Sequence, residues 1–334
     1  MIRGTKRSIP FPLRPQDMSR GRRLMSSTWS SNPPSSLEKL LALNKISTET
    51  FVNASELFVP YRGRGLFGGT MVAQSLLASL LHSNMPEKKW KPVSIHCHFL
   101  QAVQPTPQLQ YKVTTLKPGK NYLTKEVNLH QNNKLVFKAI VTLQAYKLQG
   151  SASNLKGQLN HHRKAPVVGV DIAPPEKMFS QSELIPNSTA VKCYEREPCD
   201  WRLPKDLFDL SIVKEEEKAA PVEDRVLRYW VKNKEPLQDP SVYNWVSLAY
   251  VSDYFYLSAN MRLNMREMFT TKFSVSLDHT IYFNTELNTS EFFNYNVRNI
   301  KAGENRSIMM GEIFNREGKL GATTFQEGLS VINP

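Results

Sequence analysis

What the sequence lacks narrows it first. Only three cysteines occur in 334 residues, Cys97, Cys193 and Cys199. They cannot close a disulfide set and none stands in a CxxC pair, which argues against a disulfide framework and a thiolate zinc site. Free thiols in a reducing compartment are the expectation. No run of about 20 apolar residues occurs, so no membrane-spanning helix is expected. No Gly-Lys-Ser/Thr follows the glycines at 63, 65, 68 and 69, so they do not announce a phosphate loop. Acidic residues are scarce at the start: residues 1–36 hold Arg3, Lys6, Arg7, Arg14, Arg20, Arg22 and Arg23 against Asp17 alone. That segment also lacks the apolar core of a secretory signal. It reads as a basic disordered leader or an organellar presequence.

The net charge is +13. Such a balance suits a polyanionic partner. No long Lys/Arg run or nucleic-acid-binding motif accompanies it, so nucleic acid is not the expected partner and a phosphate-bearing small molecule fits better.

What is present is organised twice over. Ser36 is placed to cap a helix carrying Leu37, Leu40, Leu41 and Leu43. "YRGRGLFGGTMVAQSLLASLLHS" (61–83) passes from glycines into a helix apolar nearly all round, which means a buried helix. Its glycines allow close approach of the backbone to something. Strand-like runs follow at 93–100, 108–116, 121–131 and 134–146, with turn signals "PGKN" and "QNNK" between them. One buried helix and a four-stranded antiparallel meander is α+β. Residues 147–188 turn polar and read as the connection between halves. His161 and His162 lie there without a carboxylate or Cys at ligand spacing, so they are loop histidines and no metal is expected.

The second half repeats the logic. Residues 190–197 and 224–233 read as strands around a charged insertion at 214–220, and 239–261 as another nearly all-apolar helix. Four strands follow at 272–284, 291–300, 305–319 and 320–332. "PVSIHCHF" lies over "SVSLDHTIYF", and the interval from Ser94 to Gln144 equals that from Ser276 to Gln326, 50 residues in each (144 − 94 and 326 − 276). "VAQSLL" lies over "VSDYFY", so Gln74 corresponds to Asp253. The domain reading is a leader over 1–36, a first unit over 37–146, a linker over 147–188 and a second unit over 189–334.

Each half thus carries a polar residue on its helix, a Ser on the next strand and a Gln on the last. Gln74, Ser94 and Gln144 contain no base; Asp253, Ser276 and Gln326 do. An Asp in an apolar helix is costly unless solvated, hydrogen-bonded or functional, and partial burial makes it a better proton acceptor near neutral pH. With no imidazole beside the serine, the set suggests an activated water rather than a covalent serine. The alternative is a solvated helix-end Asp with ordinary strand polars. Asp278 and His279 resemble an acid–base pair, but strand neighbours point to opposite faces. Asp278 shares the nominal face of Ser276 and is placed to shape the same site, and both Asp278 and His279 read as structural or as supports behind the site residues.

At this point the chain resembles the type II acyl-CoA thioesterases, the TesB-like family. "GLFGGTMVAQSLLAS", "VSIHCHFLQAVQP", "LAYVSDYFYL", "SVSLDHTIYFN" and "NREGKLGATTFQEGL" carry the resemblance, over roughly residues 38–146 and 190–331. It implies a double hotdog: two tandem antiparallel sheets, each wrapped around a central helix. It implies hydrolysis of acyl-CoA to CoA and a carboxylic acid by a water held on Asp253, Ser276 and Gln326, with a backbone N–H near a helix N-terminus for the oxyanion and no cofactor. The family's Arg after "QEG" is not matched in "QEGLSVI", nor its Arg or Lys in "FLQAVQP", so the CoA contacts are not readable. Peroxisomal members often end in Ser-Lys-Leu or similar, whereas this chain ends "VINP". A peroxisomal address therefore follows from the resemblance alone, with mitochondrial or cytosolic alternatives. A monomer and a homo-oligomer both fit. The rival functions are a non-catalytic acyl-CoA binder and a hotdog hydratase with an Asp–His dyad.

Overall fold

The structure, a computed structural model, describes residues 33–83, 89–146 and 159–332. Most of the basic leader and the start of the linker lie outside the described residues. Helix α1 (Ser36–Leu41) opens the described chain. Its cap falls on Ser35, one residue before the expected Ser36: the Ser35 hydroxyl accepts the Glu38 N–H while the Glu38 carboxylate accepts the Ser35 N–H. That carboxylate also accepts the N–H groups of Gln238 and Asp239, tying the start of the chain to the second half.

The first half then forms a hairpin of β1 (Leu43–Lys45) and β2 (Thr50–Asn53), which the sequence did not announce, and helix α2 (Gly68–His82). Strands β3 (Lys89–Phe99), β4 (Gln110–Lys117), β5 (Tyr122–Gln131) and β6 (Lys134–Tyr146) follow. Every residue of α2 from Gly69 to Ser79 is buried, as its apolar circumference requires. Strand β5 alternates buried and half-buried positions, with Leu123, Val127 and Leu129 turned inward. Each such Leu or Val stabilises the fold by about 1.5–3 kcal/mol.

The linker is more ordered than its composition suggests. From residue 159 it straps the outer face of the second sheet, and Ile172 and Met178 pack on the fully buried Trp230, whose indole N–H donates to the Ala173 carbonyl. Short helices α3 (Gln181–Leu184) and α4 (Ser188–Arg196) lead into β7 (Cys199–Arg202). Residues 190–197 were expected to be a strand. They belong to a helix because the Asn187 side chain accepts the N–H groups of Thr189 and Ala190 and starts one. The charged insertion holds the small helix α5 (Glu215–Ala219) before β8 (Leu227–Asn233).

The long helix expected over 239–261 is two: α6 (Pro240–Val251) and α7 (Tyr256–Leu263), separated by a turn. The strand expected over 272–284 is also two, β9 (Thr271–Ser276) and β10 (Asp278–Phe283). The chain ends with β11 (Phe293–Gly303), β12 (Arg306–Phe314) and β13 (Leu320–Ile332).

Neither half is a simple meander. In each, the strand after the long helix pairs with the last strand, giving β1-β2-β4-β5-β6-β3 and β10-β13-β12-β11-β8-β7, all antiparallel, with β9 also on β13. This is the double hotdog, but its two sheets are not separate. Strand β3 pairs with β10, Ile95 opposite Ile281 and His98 opposite Asp278, so 13 strands form one continuous sheet. Both isoleucines are fully buried, and the core runs unbroken beneath the seam.

Candidate active site

The break between α6 and α7 sets the site. "AYVSDYFY" contains no Gly or Pro, yet the helix stops at Val251. Hydroxyls from neighbouring strands satisfy the carbonyls that are freed: Tyr295 donates to Ser252 O at 2.7 Å and Tyr229 to Tyr254 O at 2.8 Å. Phe255 then takes a left-handed backbone, φ 59°, which costs a bulky side chain on the order of 1–3 kcal/mol. Its ring packs edge-on against Trp201, Tyr229 and Tyr254, which offsets that cost.

Asp253 sits in this turn, half-buried, and not inside a helix as expected. Its carboxylate faces the first turn of α2. A Cβ on Gly68 would lie 2.5 Å from Asp253 Oδ2, so only glycine permits the approach. The Gly69 N–H and the Gln326 amide hydrogen-bond to the carboxylate and favour its ionised form, but burial outweighs both and pushes the pKa up to about 7. Edge-on contacts of Phe67 with Tyr250 and Tyr254 lock the two helix ends together. Gly68 and Gly69 of "GLFGG" therefore serve approach of the other half of the molecule, whereas Gly65 admits the Val103 carbonyl of its own half.

Ser276 ends β9 and Gln326 lies on β13. The Gln326 Nε2 donates to Ser276 Oγ at 2.6 Å. Gln326 is thus the bridge: one side chain touches both Ser276 and the Asp253 carboxylate. The three residues picked from the sequence meet in space. Their first-half counterparts do not. Gln74 is fully buried and engaged by the Tyr111 hydroxyl at 2.6 Å and Leu41 O at 3.4 Å. Gln144 donates to the Tyr122 hydroxyl, and Ser94 lies in β3 opposite Thr142 and Tyr282.

Asp278 and His279 do not pair. Asp278 Oδ1 accepts the Glu327 N–H at 2.8 Å, fixing the crossing of β10 and β13. His279 is fully buried, its Nε2 2.8 Å from Ser252 Oγ, so it braces the residue preceding Asp253. Burial drives its pKa down to about 3 against the pull of Gln326, and the ring stays neutral at physiological pH. The reading of both as structural agrees with these contacts. That His279 reaches the Asp253 turn was not legible locally, because its partner Ser252 lies on a different element.

A cleft of about 450 Å³ opens from Asp253, Ser276 and Gln326. One wall is apolar, with Phe255, Met261 and Phe273. The other is basic, from the loop before α2: Arg62 lies over the Phe269 ring at 4.8 Å, and Arg64 lies over Phe273 while donating to Lys272 O. Arg62 and Arg64 were not singled out from sequence, although their spacing within the glycine loop was a usable signal. Among the described residues no cluster of His, Cys, Asp and Glu could hold a metal, and His161 and His162 are exposed.

Chemically, the arrangement offers a proton acceptor poised near neutrality, two polar groups to fix a water beside it, helix N–H groups close by, and a cleft with apolar and cationic walls. Known proteins resemble the chain along most of its length. The family description "Acyl-CoA thioesterase" matches residues 210–329, and "Acyl-CoA thioesterase N-terminal domain" matches 59–144. The chain is 27% identical to the peroxisomal acyl-coenzyme A thioester hydrolase 1 of Saccharomyces cerevisiae, over 89% of this chain and 95% of the relative. It is 24% identical to acyl-coenzyme A thioesterase 8 of Homo sapiens, over 91% and 92%. In fold it resembles the acyl-CoA thioesterase II TesB2 of Mycobacterium marinum, with TM-score 0.66 and 23% identity over 89% of this chain and 98% of that one. A hot dog fold protein of Alicyclobacillus acidocaldarius gives TM-score 0.64 and 16% identity over 90% and 100%.

Proposed function

The chain belongs to the acyl-CoA thioesterase family and hydrolyses acyl-CoA thioesters, and from that premise we propose that Asp253, Ser276 and Gln326 of the C-terminal half carry the reaction. The observation that carries the assignment is the Gln326 side chain bridging Ser276 and Asp253 at the end of the cleft. Ser276 and Gln326 orient a water. Its oxygen attacks the thioester carbonyl carbon as Asp253 takes its proton, a step in which a placed base contributes about 10²–10⁴-fold. Backbone N–H groups in the first turn of α2 face the developing oxyanion; one such donor contributes about 10²–10³-fold. The tetrahedral intermediate collapses, the C–S bond breaks, and the CoA thiolate recovers the proton from Asp253. Products are CoA and a carboxylic acid. The apolar wall suits the acyl chain, and Arg62 and Arg64 suit a phosphate-bearing substrate.

Release of CoA from acyl-CoAs of several chain lengths tests this. Asp253→Asn should lower kcat by about 10²–10⁴-fold while leaving acyl-CoA binding nearly intact. Full turnover in Asp253→Asn, with loss in Asp278→Asn, would move the site. The likeness to a peroxisomal yeast relative supports work in the peroxisome. Imaging the full chain beside peroxisomal and mitochondrial markers tests that address, and mitochondrial import would assign the basic leader a targeting role instead.

A further inference from the structure

A second cavity, about 200 Å³, lies on the opposite face of the sheet from the thioesterase cleft, between the linker strap and strands β8, β11 and β12. Leu227, Tyr229, Tyr295 and Val297 point into the core, so by alternation Arg228, Asn296 and Arg298 face outward under the strap. Four cations, Arg163, Lys164, Arg228 and Arg298, line this cavity with two acids, Asp171 and Glu312. Two positive charges are left over (4 − 2). Glu312, only 5% exposed, is shared by Arg298 at 2.8 Å and Arg163 at 3.3 Å. Among the described residues Arg228 has no hydrogen bond and no ion pair, its Nε is buried, and Arg298 repels it while Asp171 and Glu217 attract it from beyond ion-pair distance. A half-buried guanidinium without an acceptor is costly unless something supplies one. Asn296 adds the complementary want. Its Nδ2 donates to Asn294 Oδ1 and Glu312 O, which fixes the amide's orientation, and its buried Oδ1 has no donor among the described residues.

The pocket therefore asks for a small anion that can also donate a hydrogen bond. We propose that it binds a hydrogenphosphate-type anion, either inorganic phosphate or the phosphate of a small organic phosphate bearing a hydroxyl, and that the bound anion fastens the strap to the sheet through Arg228. Sulfate has the size and charge but no proton to give Asn296, so it separates this proposal from general attraction to anions.

The test uses the full chain in chloride buffer at pH 7, titrated with sodium phosphate, sodium sulfate and glycerol 3-phosphate, and read by calorimetry and melting temperature. Phosphate should raise the melting temperature saturably and bind at least fivefold more tightly than sulfate. Arg228→Gln should weaken phosphate binding at least tenfold and leave CoA release from acyl-CoA unchanged. Tighter binding of glycerol 3-phosphate than of phosphate identifies an organic ligand, and weaker binding identifies the free ion. Equal responses to sulfate and phosphate, no response to either, or undiminished binding in Arg228→Gln overturns the proposal. The sulfate comparison needs only the wild-type chain, so it stands even where the variant does not fold.

Discussion

Gly68→Ala probes the site without touching a candidate catalytic side chain. The new Cβ would stand 2.5 Å from Asp253 Oδ2, where ordinary contact begins at 3.4 Å, so the carboxylate must retreat by about 0.9 Å (3.4 − 2.5). Displacements near 1 Å in a catalytic constellation cost on the order of 10²-fold. If the retreat is into the cleft, it lessens the burial that raises the Asp253 pKa to about 7, and the pKa should fall. The expectation is a kcat lowered about 100-fold and an acid limb of the pH–rate profile shifted below pH 7. The fold should survive, since Ala in a helix is favoured over Gly by about 1 kcal/mol and the Phe99 ring, the other contact at 2.9 Å, is half-buried and can tilt. Thiol release by a chromogenic disulfide across pH 5–9, beside a thermal melt, reads all three. An unchanged kcat, or a lowered kcat with the acid limb unmoved, would refute the placement of Asp253 against α2. Gly69→Ala should behave oppositely: its Cβ meets the Tyr250 carbonyl oxygen at 2.3 Å, a backbone atom that cannot step aside, so stability should fall first.

In the wild type, kcat/KM should fall tenfold per pH unit below about 7, because protonated Asp253 cannot accept a proton; a profile flat down to pH 5 contradicts a base at this position. Ser276→Ala, which leaves the Gln326 amide without its 2.6 Å partner, should cost about 10²-fold in kcat, whereas Ser276→Thr should keep most activity, and equal loss in both would assign Ser276 to packing. Glu197 is buried against the Tyr250 and Tyr254 hydroxyls, and burial outweighs their hydrogen bonds to push its pKa up to about 7. A raised carboxyl pKa gives stability present below its unfolded value of 4.5 and lost as pH rises through about 7. Glu197→Gln should thus gain up to about 3 kcal/mol over wild type at pH 8 and nearly nothing at pH 4.5, by urea denaturation; an equal gain at both would remove Glu197 as the cause.

How far the sequence reached depended on whether a feature was local. Ser276 and Gln326 were legible because the duplication repeats their interval, and Asp253 because it interrupts an apolar run. The helix break at Asp253 was not legible. Nothing in "YVSDYFY" opposes a helix, and the turn is made by hydroxyls 25 and 43 residues away along the chain, on Tyr229 and Tyr295. The division of residues 272–284 was hidden for a similar reason. Around Leu277, whose N–H binds Glu327 O and whose carbonyl binds the Phe99 N–H, the strand passes from β13 alone to β13 and β3 together. Each strand looked complete in itself, so the seam that merges two sheets into one left no local mark.

The duplication also explains why one pair of halves builds one site. Gln74 and Asp253 correspond in sequence, but α2 runs unbroken through Gln74 to His82, while α6 stops two residues before Asp253. Gln74 is consequently sealed in the core and consumed by Tyr111 and Leu41. An acid there would have no opening toward a substrate, whatever its chemistry. What the first half retains is the start of its helix, stripped of side chains at Gly68 where the Asp253 carboxylate fits and at Gly69 where the Tyr250 carbonyl fits. The two halves are complementary: in one the helix stops and exposes a carboxylate, and in the other the helix end is bare where that carboxylate fits. Neither feature is useful alone, which gives a physical reason for the seam that fixes one hotdog against the other.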